Sequence, residues 1–416
     1  ENIVLGMEPK SGVVLSLKAA SQRIKTLSEQ YGLSVDPDAR IEDISVGMQQ
    51  RVEILKMLYR NAEVLIFDEP TAVLTPQEIQ DFLGIMRNLI SEGKSIILIT
   101  HKLKEIKAIA DRCTVIRRGK CIGTEDVRAT NEARMAEMMV GRQVNFKVEK
   151  AAREPGEVIL SIRDLRVPSR RQGEPVRIAT LDIRAGEILG LAGVEGNGQS
   201  ELVEALTGLR QIEAGVILLS GQDISRASIR ERNQSGLAHI PEDRQKRGLV
   251  LDYTLQENFI LKNHADAPYS QRGFLQPEAI RAHAESLIQA FDVRSGEGAL
   301  SMARAMSGGN QQKAIIGREF DQNPDLLIAV QPTRGLDVGS IEYIHKRLID
   351  QRDSGQAVLL VSLDLDEILH LSYRIAVIHN GALIGIVAAD ATDEKEIGLM
   401  MAGCRKDAQS GQERAA

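Results

Sequence analysis

An internal repeat constrains this chain more than any other feature. Its period is 262 residues, the distance from Ser45 to Ser307, and the register then continues without a gap to Gly141 and Gly403. A conserved register over that length indicates two copies of one fold. Further identical pairs are Gly47 and Gly309, Gln49 and Gln311, Gln50 and Gln312, Pro70 and Pro332, Thr71 and Thr333, Gly119 and Gly381, and Gly123 and Gly385.

Three positions with reactive side chains occur in the first copy only. The differing pairs are Asp68 and Val330, Glu69 and Gln331, and His101 and Leu363. Neither Val nor Leu can bind a metal or accept a proton, and the Gln amide is not a base. The repeat therefore predicts a duplicated fold in which one half has lost its chemistry.

Composition narrows the class of protein. The chain has 416 residues, of which 43% are hydrophobic and 26% charged, as in soluble proteins with two or three domains. A net charge of −6 argues against a dedicated nucleic-acid binder. No apolar run approaches the roughly 18–20 residues that cross a bilayer. The three cysteines lack metal-ligand spacing, which favours free thiols in a reducing compartment.

The sequence predicts two α/β units. Continuous apolar runs at 64–67 and 96–99 predict parallel strands covered on both faces. Apolar spacing predicts a helix over Leu17–Tyr31 that ends at Gly32. The predicted boundaries are a first unit at 1–145, a charged linker at 146–156, a second unit at 157–405 and a polar tail at 406–416.

The second unit has an opening stretch that the first lacks. One repeat period before Gly193 falls upstream of residue 1. We therefore expect the first unit to be incomplete, with roughly 100 residues of a longer protein absent by the repeat arithmetic.

A glycine-rich loop in the second unit predicts a phosphate site. It follows the apolar run 188–191 and precedes a predicted helix, 201–206. Glycines let backbone N–H groups converge on an anion, and the helix N-terminus adds positive potential. The motif's lysine is replaced by Gln199, so we expect nucleotide binding without efficient cleavage. The predicted ligand-binding residues are Gly193, Glu195, Gly196, Asn197, Gly198, Gln199, Ser200 and Glu201, with the Ser200 hydroxyl on a magnesium ion.

The first unit supplies a different set. Asp68 and Glu69 follow one apolar strand, and His101 follows the next. Asp68 suits Mg²⁺, Glu69 suits activation of an attacking water, and His101 can hydrogen-bond a terminal phosphate. A lone acidic pair at a strand end is a weak signal, but the neighbouring motifs make this one specific.

A second anion-binding segment begins a predicted helix at 311–319. Its residues Ser307, Gly308, Gly309 and Gln311 form the sequence SGGNQ with Asn310. The first unit has Val46 where the second has Gly308. The segment stands at the same distance before a buried strand in both units, which makes a short motif specific.

Together these motifs resemble the tandem ATP-binding subunit of ABC-type importers for simple sugars and nucleosides. The resemblance covers the whole chain apart from the expected missing start, and SGGNQQK at 307–313, PEDR at 241–244 and GVEGNGQS at 193–200 carry it. The last string, with IPEDRQKRGLVL at 240–251, is closest to the purine-nucleoside branch, whose substrate is delivered by a basic-membrane-type lipoprotein. The resemblance implies P-loop ATPase units in tandem, an ATPase that uses ATP and Mg²⁺, and a place at the cytoplasmic face of the cell membrane.

The resemblance also implies how the motifs cooperate. Asp68, Glu69 and His101 would act with Ser307, Gly308 and Gly309 as one competent ATP site. The loop with Gln199 would form a degenerate second site. Hydrolysis would need the absent segment. Partners would be two membrane permeases, touched at the loop of Glu242 and Asp243, and through them an extracytoplasmic binding lipoprotein, with no nucleic acid.

Two other function classes stay open at this point. A tandem ABC ATPase of the ribosome or DNA would carry two intact phosphate loops and a basic balance, which Gln199 and the acidic charge oppose. A non-catalytic truncated remnant would not need the Asp68, Glu69 and His101 set.

Overall fold

The chain forms two compact units, Glu1–Val144 and Asn145–Ala416. The structure is a computed structural model that describes residues 1–11, 14–44, 46–71, 76–117, 119–142, 150, 154–169 and 174–403. Of the predicted linker, only residues 150 and 154–156 fall within these ranges, and the predicted tail 406–416 lies outside them, as does Ser45.

The first unit combines helices with three separate pairs of strands. β3 and β4 are parallel, and β1–β2 and β5–β6 are antiparallel. The strands are β1 Lys10–Ser11, β2 Val14–Leu15, β3 Val64–Asp68, β4 Ser95–Ile99, β5 Arg112–Arg117 and β6 Lys120–Asp126, and the helices are α1 Leu17–Tyr31, α2 Val46–Tyr59, α3 Pro76–Ser91, α4 Leu103–Ile109 and α5 Glu132–Val140.

One expectation about β3 and β4 is wrong. Leu65 and Phe67 are buried, but the other face of the pair is exposed: Ile66 is 58% exposed and Ile97 51%. An apolar run shows that both faces can be buried, not that a second layer is present. Among the described residues, this pair is therefore covered on one face only.

The second unit is built on a ten-stranded sheet. Its strands are β7 Val158–Val167, β8 Val176–Arg184, β9 Ile188–Ala192, β10 Ala214–Leu219, β11 Gln222–Asp223, β12 Leu237–Ile240, β15 Leu326–Val330, β16 Ala357–Val361, β17 Arg374–His379 and β18 Ala382–Ala388, and a separate hairpin holds β13 Ser270–Gln271 and β14 Phe274–Leu275. The helices are α6 Gln199–Thr207, α7 Ile229–Gln234, α8 Leu255–Phe259, α9 Pro277–Ala290, α10 Gly308–Asp321, α11 Val338–Asp353, α12 Leu365–Leu371 and α13 Glu394–Met401.

The order of the sheet is β11-β10-β7-β8-β18-β17-β9-β16-β15-β12. The five strands β17, β9, β16, β15 and β12 run parallel, each to its neighbour. Apolar side chains bury both faces of this parallel part, in two hydrophobic clusters. Continuous apolar strands require burial on both faces. Because β9, β16 and β15 are parallel neighbours, their carboxyl ends lie along one edge of the sheet.

The structure reproduces the 262-residue repeat. α2 corresponds to α10, β3 to β15, α3 to α11, β4 to β16 and α4 to α12, each with the same bounds after the shift. A side-chain contact repeats as well: Gln49 Nε2 donates to the Ile41 carbonyl at 3.0 Å, and Gln311 Nε2 donates to the Ala303 carbonyl at 2.9 Å. The shared register is therefore structural and not only a similarity of sequence.

Candidate functional site

The reactive side chains of the first unit stand at the carboxyl ends of two paired strands. Asp68 ends β3 opposite Ile99, which ends β4. Glu69 follows β3 and donates its backbone N–H to the Ile99 carbonyl at 2.8 Å. His101 lies two residues beyond β4. Parallel pairing thus brings the two predicted catalytic residues to one edge.

Glu69 and His101 form a direct pair. Their Oε1 and Nδ1 atoms are 2.8 Å apart, with side chains that are 36% and 18% exposed. A carboxylate only accepts hydrogen bonds, so Nδ1 carries the proton and Nε2 is the ring atom left to face another group. The contact orients both side chains at the strand ends.

The backbone at Glu69 is in the left-handed region, with φ 45°. For a residue with a Cβ this conformation costs about 1–2 kcal/mol, and such strain clusters at functional sites. Gln331, one period later, has φ 48° and the same hydrogen bond, from its N–H to the Val361 carbonyl. The second unit has therefore kept the backbone geometry of this position while losing the carboxylate.

A buried glutamate ties the two strand ends of the first unit together. Glu105, on α4, is 4% exposed. Thr71 Oγ1 donates to its Oε1 at 2.5 Å, and Thr100 Oγ1 donates to its Oε2 at 3.3 Å. Lys102 Nζ lies 3.6 Å from Glu105 and balances its charge. Because Thr71 follows Glu69 and Thr100 precedes His101, Glu105 positions both loops.

The second unit repeats this clamp with a different hydrogen-bonding partner. Thr333 Oγ1 donates to Glu367 Oε1 at 2.8 Å, and His345 Nε2 is 3.0 Å from the same oxygen. Burial disfavours the charge of Glu367, but hydrogen bonds from His345, Ser362 and Thr333 outweigh it and hold the pKa of the carboxyl below its usual value. Sequence reasoning missed Glu105 and Glu367, although both are identical across the repeat.

The glycine-rich loop of the second unit has the expected strand, loop and helix context. It leaves β9, a central strand, and enters α6, whose N-cap is Gly198. Gly196 and Gly198 have φ of 89° and 110°, and a Cβ on Gly198 would stand 2.7 Å from Val176 Cγ2. Only glycine fits there. The loop and the N-terminal turn of α6 therefore present backbone N–H groups of the type that bind phosphate.

The loop side chains differ in placement. Glu195 and Ser200 are exposed, Asn197 and Glu201 are half-buried, and Gln199 is 8% exposed. Gln199 Nε2 donates to the Val194 carbonyl at 3.1 Å across the loop, and a Cβ on Gly193 would collide with it. Gln199 thus stabilises the loop by a hydrogen bond within it, whereas Ser200 is exposed at the start of α6.

Ser307 is the N-cap of α10 and is exposed, with Asn310 Nδ2 donating to its Oγ at 2.9 Å. Gly308 and Gly309 form the first turn, where added Cβ atoms would meet Arg244 Nη2 at 2.7 Å and Ser340 Oγ at 2.9 Å. A Cβ at either position would require the neighbouring side chain to shift. Ser45, the first-unit counterpart of Ser307, lies outside the described residues.

The structure does not place Gln311 as expected for a ligand-binding residue. Its side chain is 1% exposed, and its amide bonds to the Ala303 carbonyl and to Gln245 Nε2, the latter at 3.4 Å. Helical spacing explains the difference, because Gln311 lies on the face of α10 that packs inward. The side chain supports the segment from within.

Membrane and metal features are limited within the part of the chain that the structure describes. No helix there combines the length and the apolar character that a membrane span requires. No three His, Cys, Asp or Glu side chains there are grouped to hold a metal ion by themselves.

The chain is similar to proteins of one family. The profile of the family described as "ABC transporter" matches residues 2–72 and 176–334. Over 403 residues the chain is 57% identical to the nucleoside import ATP-binding protein NupA of Lactococcus lactis subsp. cremoris and to the guanosine import ATP-binding protein NupO of Bacillus subtilis, in each case with 97% of this chain and 79% of the relative covered. A solved archaeal ribosome recycling factor, in complex with a ribosomal stalk protein, matches with a TM-score of 0.64 at 19% identity, covering 95% of this chain and 74% of that one. That likeness shows the shared α/β fold alone.

Proposed function

This chain belongs to the ABC transporter family of ATP-hydrolysing proteins, and on that premise we propose that it is the ATP-binding subunit of a nucleoside importer. The two relatives at 57% identity carry nucleoside and guanosine import in their names, which supports this substrate class. We propose that this subunit contributes to one competent ATP site and one degenerate ATP site.

The single observation that carries the proposal is the Glu69–His101 pair, at 2.8 Å, in a backbone frame that the second unit repeats without either side chain. In the proposed reaction, Glu69 accepts a proton from a water as the water oxygen attacks the γ-phosphorus. The bond between the γ-phosphorus and the oxygen of the leaving ADP then breaks, and His101 hydrogen-bonds the oxygens of the transferred phosphoryl group.

The exposed Asp68 carboxylate of the first unit and the exposed Ser200 hydroxyl of the second unit are each an oxygen ligand of the kind that Mg²⁺ prefers. Mg²⁺ keeps several waters and binds phosphate oxygens, so one or two protein ligands suffice. When bound, the ion neutralises charge that develops on the phosphates. The second unit has Val330, 8% exposed, where the first has Asp68, so its loop would rely on Ser200 alone.

We further propose that Ser307, Gly308 and Gly309 contribute to the same nucleotide as Glu69. The exposed N-terminus of α10 offers backbone N–H groups to an anion but has no base of its own. The loop from Gly193 to Glu201 would bind a second nucleotide that is hydrolysed poorly, because Gln331 cannot take a proton and Gln199 is uncharged.

An exposed apolar strip of the second unit suits a membrane permease as partner. Val250, Tyr253 and Met302 are 40%, 44% and 38% exposed. The Ala303 N–H donates to the Tyr253 carbonyl at 3.0 Å, which sets the two segments side by side. Contiguous exposed apolar side chains commonly mark protein interfaces. The proposal includes two permeases, a binding lipoprotein outside them, and a location at the cytoplasmic face of the membrane.

Uptake by the assembled importer tests this function. The subunit would be reconstituted with its permeases in ATP-loaded vesicles, and entry of labelled guanosine, ribose and glucose would be measured. We expect ATP-dependent uptake of guanosine, loss of uptake in Glu69→Gln, and normal uptake in the control Glu285→Gln, whose side chain is 57% exposed on α9. Uptake of sugars alone would refute the nucleoside assignment, and normal uptake in Glu69→Gln would refute the catalytic one.

A further inference from the structure

A two-residue turn of the second unit lies against the glycine-rich loop. His379, the last residue of β17, pairs with Ala382, the first of β18, so Asn380 and Gly381 alone make the turn between them. We name these two residues the 380–381 turn. Both have left-handed backbones, with φ of 45° and 76°, as the tightest hairpin turns require. The geometry of this turn is therefore fixed by its own two residues.

Gly381 joins the glycine-rich loop to β8. Its N–H donates to the Asn197 carbonyl at 2.9 Å, and its own carbonyl accepts from the Arg177 N–H at 2.7 Å. A Cβ on Gly381 would stand 2.5 Å from the Pro175 carbonyl oxygen, and one on Gly198 would stand 3.3 Å from Gly381 Cα. Backbone atoms cannot move aside as a flexible side chain can. A side chain at position 381 would therefore push the turn away from β8 or from the loop.

The hydrogen bond to the Asn197 carbonyl decides which way the next N–H points. In a planar trans peptide, the C=O of one residue and the N–H of the following residue point in opposite directions. Because the Asn197 carbonyl faces the 380–381 turn, the Gly198 N–H points away from the turn. Gly198 is the N-cap of α6, so this N–H is one of the four at the helix start that are available to an anion. A reversed peptide would present a carbonyl oxygen to the phosphate instead.

We infer that the 380–381 turn orients the phosphate-binding peptide of the glycine-rich loop, with Gly381 as a positioning residue that touches no nucleotide. The inference rests on the proposed function, in which this loop binds the second nucleotide. It assigns part of the loop's affinity for phosphate to a turn that lies far from it in sequence.

The first unit offers a matched control in the same chain. Gly119 is the counterpart of Gly381 in the repeat and has φ 72° in the turn between β5 and β6. Gly119 is exposed, whereas Gly381 is buried. Within the part of the chain that the structure describes, a Cβ on Gly119 would meet no non-neighbouring atom within 4 Å. Alanine strains a left-handed backbone at both positions, but only at Gly381 does it also disturb the contact with the glycine-rich loop.

Titration of this chain with fluorescently labelled ATP in the presence of Mg²⁺ tests the inference. We expect Gly381→Ala to raise the Kd at least about tenfold, the effect of losing one hydrogen bond to a charged group. Gly119→Ala should stay within about twofold of the wild type. A single glycine inserted after Asn380 removes the contact without adding a Cβ, because a three-residue hairpin loop still closes the two strands. It should weaken binding as much as Gly381→Ala, and the same insertion before Gly119 should not.

The NMR signal of the Gly198 amide proton separates orientation from stability. Inorganic pyrophosphate added to the chain labelled with ¹⁵N-glycine should shift this signal in the wild type and in Gly119→Ala. The signal should stay in place in the variant with the inserted glycine after Asn380. A general loss of stability would not single out this one amide.

The inference is overturned if both variants of the 380–381 turn bind ATP as tightly as the wild type, or if the matched variants at Gly119 lose as much affinity. A pyrophosphate shift of the Gly198 amide that persists after the insertion would overturn it as well. A wild-type chain that binds no ATP would refute the proposed second nucleotide site itself, and the inference with it, so the two failures are distinguishable.

Discussion

Acid should weaken the second unit through one histidine. His239 lies on β12, where its backbone N–H donates to Glu319 Oε2 at 3.1 Å, and its Nε2 is buried without a hydrogen-bond partner among the described residues. Burial lowers the pKa of His239 from 6.5 to about 4. Glu319 opposes this shift, while the charges of Lys262, Arg247 and Arg318 add to it.

The sign follows from proton linkage. As the pH falls through about 6.5, the unfolded chain binds a proton that the folded chain refuses until about pH 4. Stability is therefore lost over that window and is retained above it. Between pH 7 and pH 5, this difference in pKa lowers the free energy of unfolding by about 1.8 kcal/mol, which raises the equilibrium constant for opening roughly 20-fold.

Hydrogen exchange of peptides from β12 and α10 measures this loss. After correction for intrinsic exchange rates, the wild-type protection factors should fall about 20-fold more between pH 7 and pH 5 than those of His239→Gln. Comparing the two proteins removes the contribution of all other titrating groups. An equal fall in both would refute the assignment of the acid sensitivity to His239.

Two further substitutions test the contacts described above. Gln199→Lys should raise the affinity of the glycine-rich loop for ATP about tenfold, because a charge-assisted hydrogen bond replaces a neutral one; fluorescence titration with a labelled ATP measures it, and unchanged affinity would count against the loop as a phosphate site. Thr333→Val should lower the free energy of unfolding by about 1.5–3 kcal/mol, because buried Glu367 loses a donor. Thermal melting measures that loss against the control Thr392→Val, whose partner Glu396 is only partly buried, and equal melting of the two variants would contradict it.

Local signals in the sequence predicted much of the fold. The helix expected over Leu17–Tyr31 has those bounds, with Gly32 at φ 65° as its C-cap, because periodic apolar positions and a terminal glycine act locally. The helices expected from Glu201 and Gln311 begin earlier, at Gln199 and Gly308. Glycine has low helix propensity, and the preceding loop rather than propensity sets those starts.

Contacts between distant positions could not be predicted. Glu105 reaches Thr71 across 34 residues of chain, and Glu204 reaches Arg247 across 43. The residue types alone do not predict such pairs, because the contacts depend on how the strands and helices pack. The inward placement of Gln311 and the exposed face of β3 and β4 were missed for the same reason, since burial depends on what the fold packs alongside.

The asymmetry between Glu69 and Gln331 is the central claim, and ATP hydrolysis by the assembled transporter tests it most directly. Glu69→Gln should lower kcat by at least about a hundredfold, the usual effect of losing a general base, while the protein still retains bound ATP. Gln331→Glu should leave kcat within about twofold, since the second unit also lacks the counterparts of Asp68 and His101. Near-normal turnover in Glu69→Gln, or a large gain in Gln331→Glu, would contradict the account.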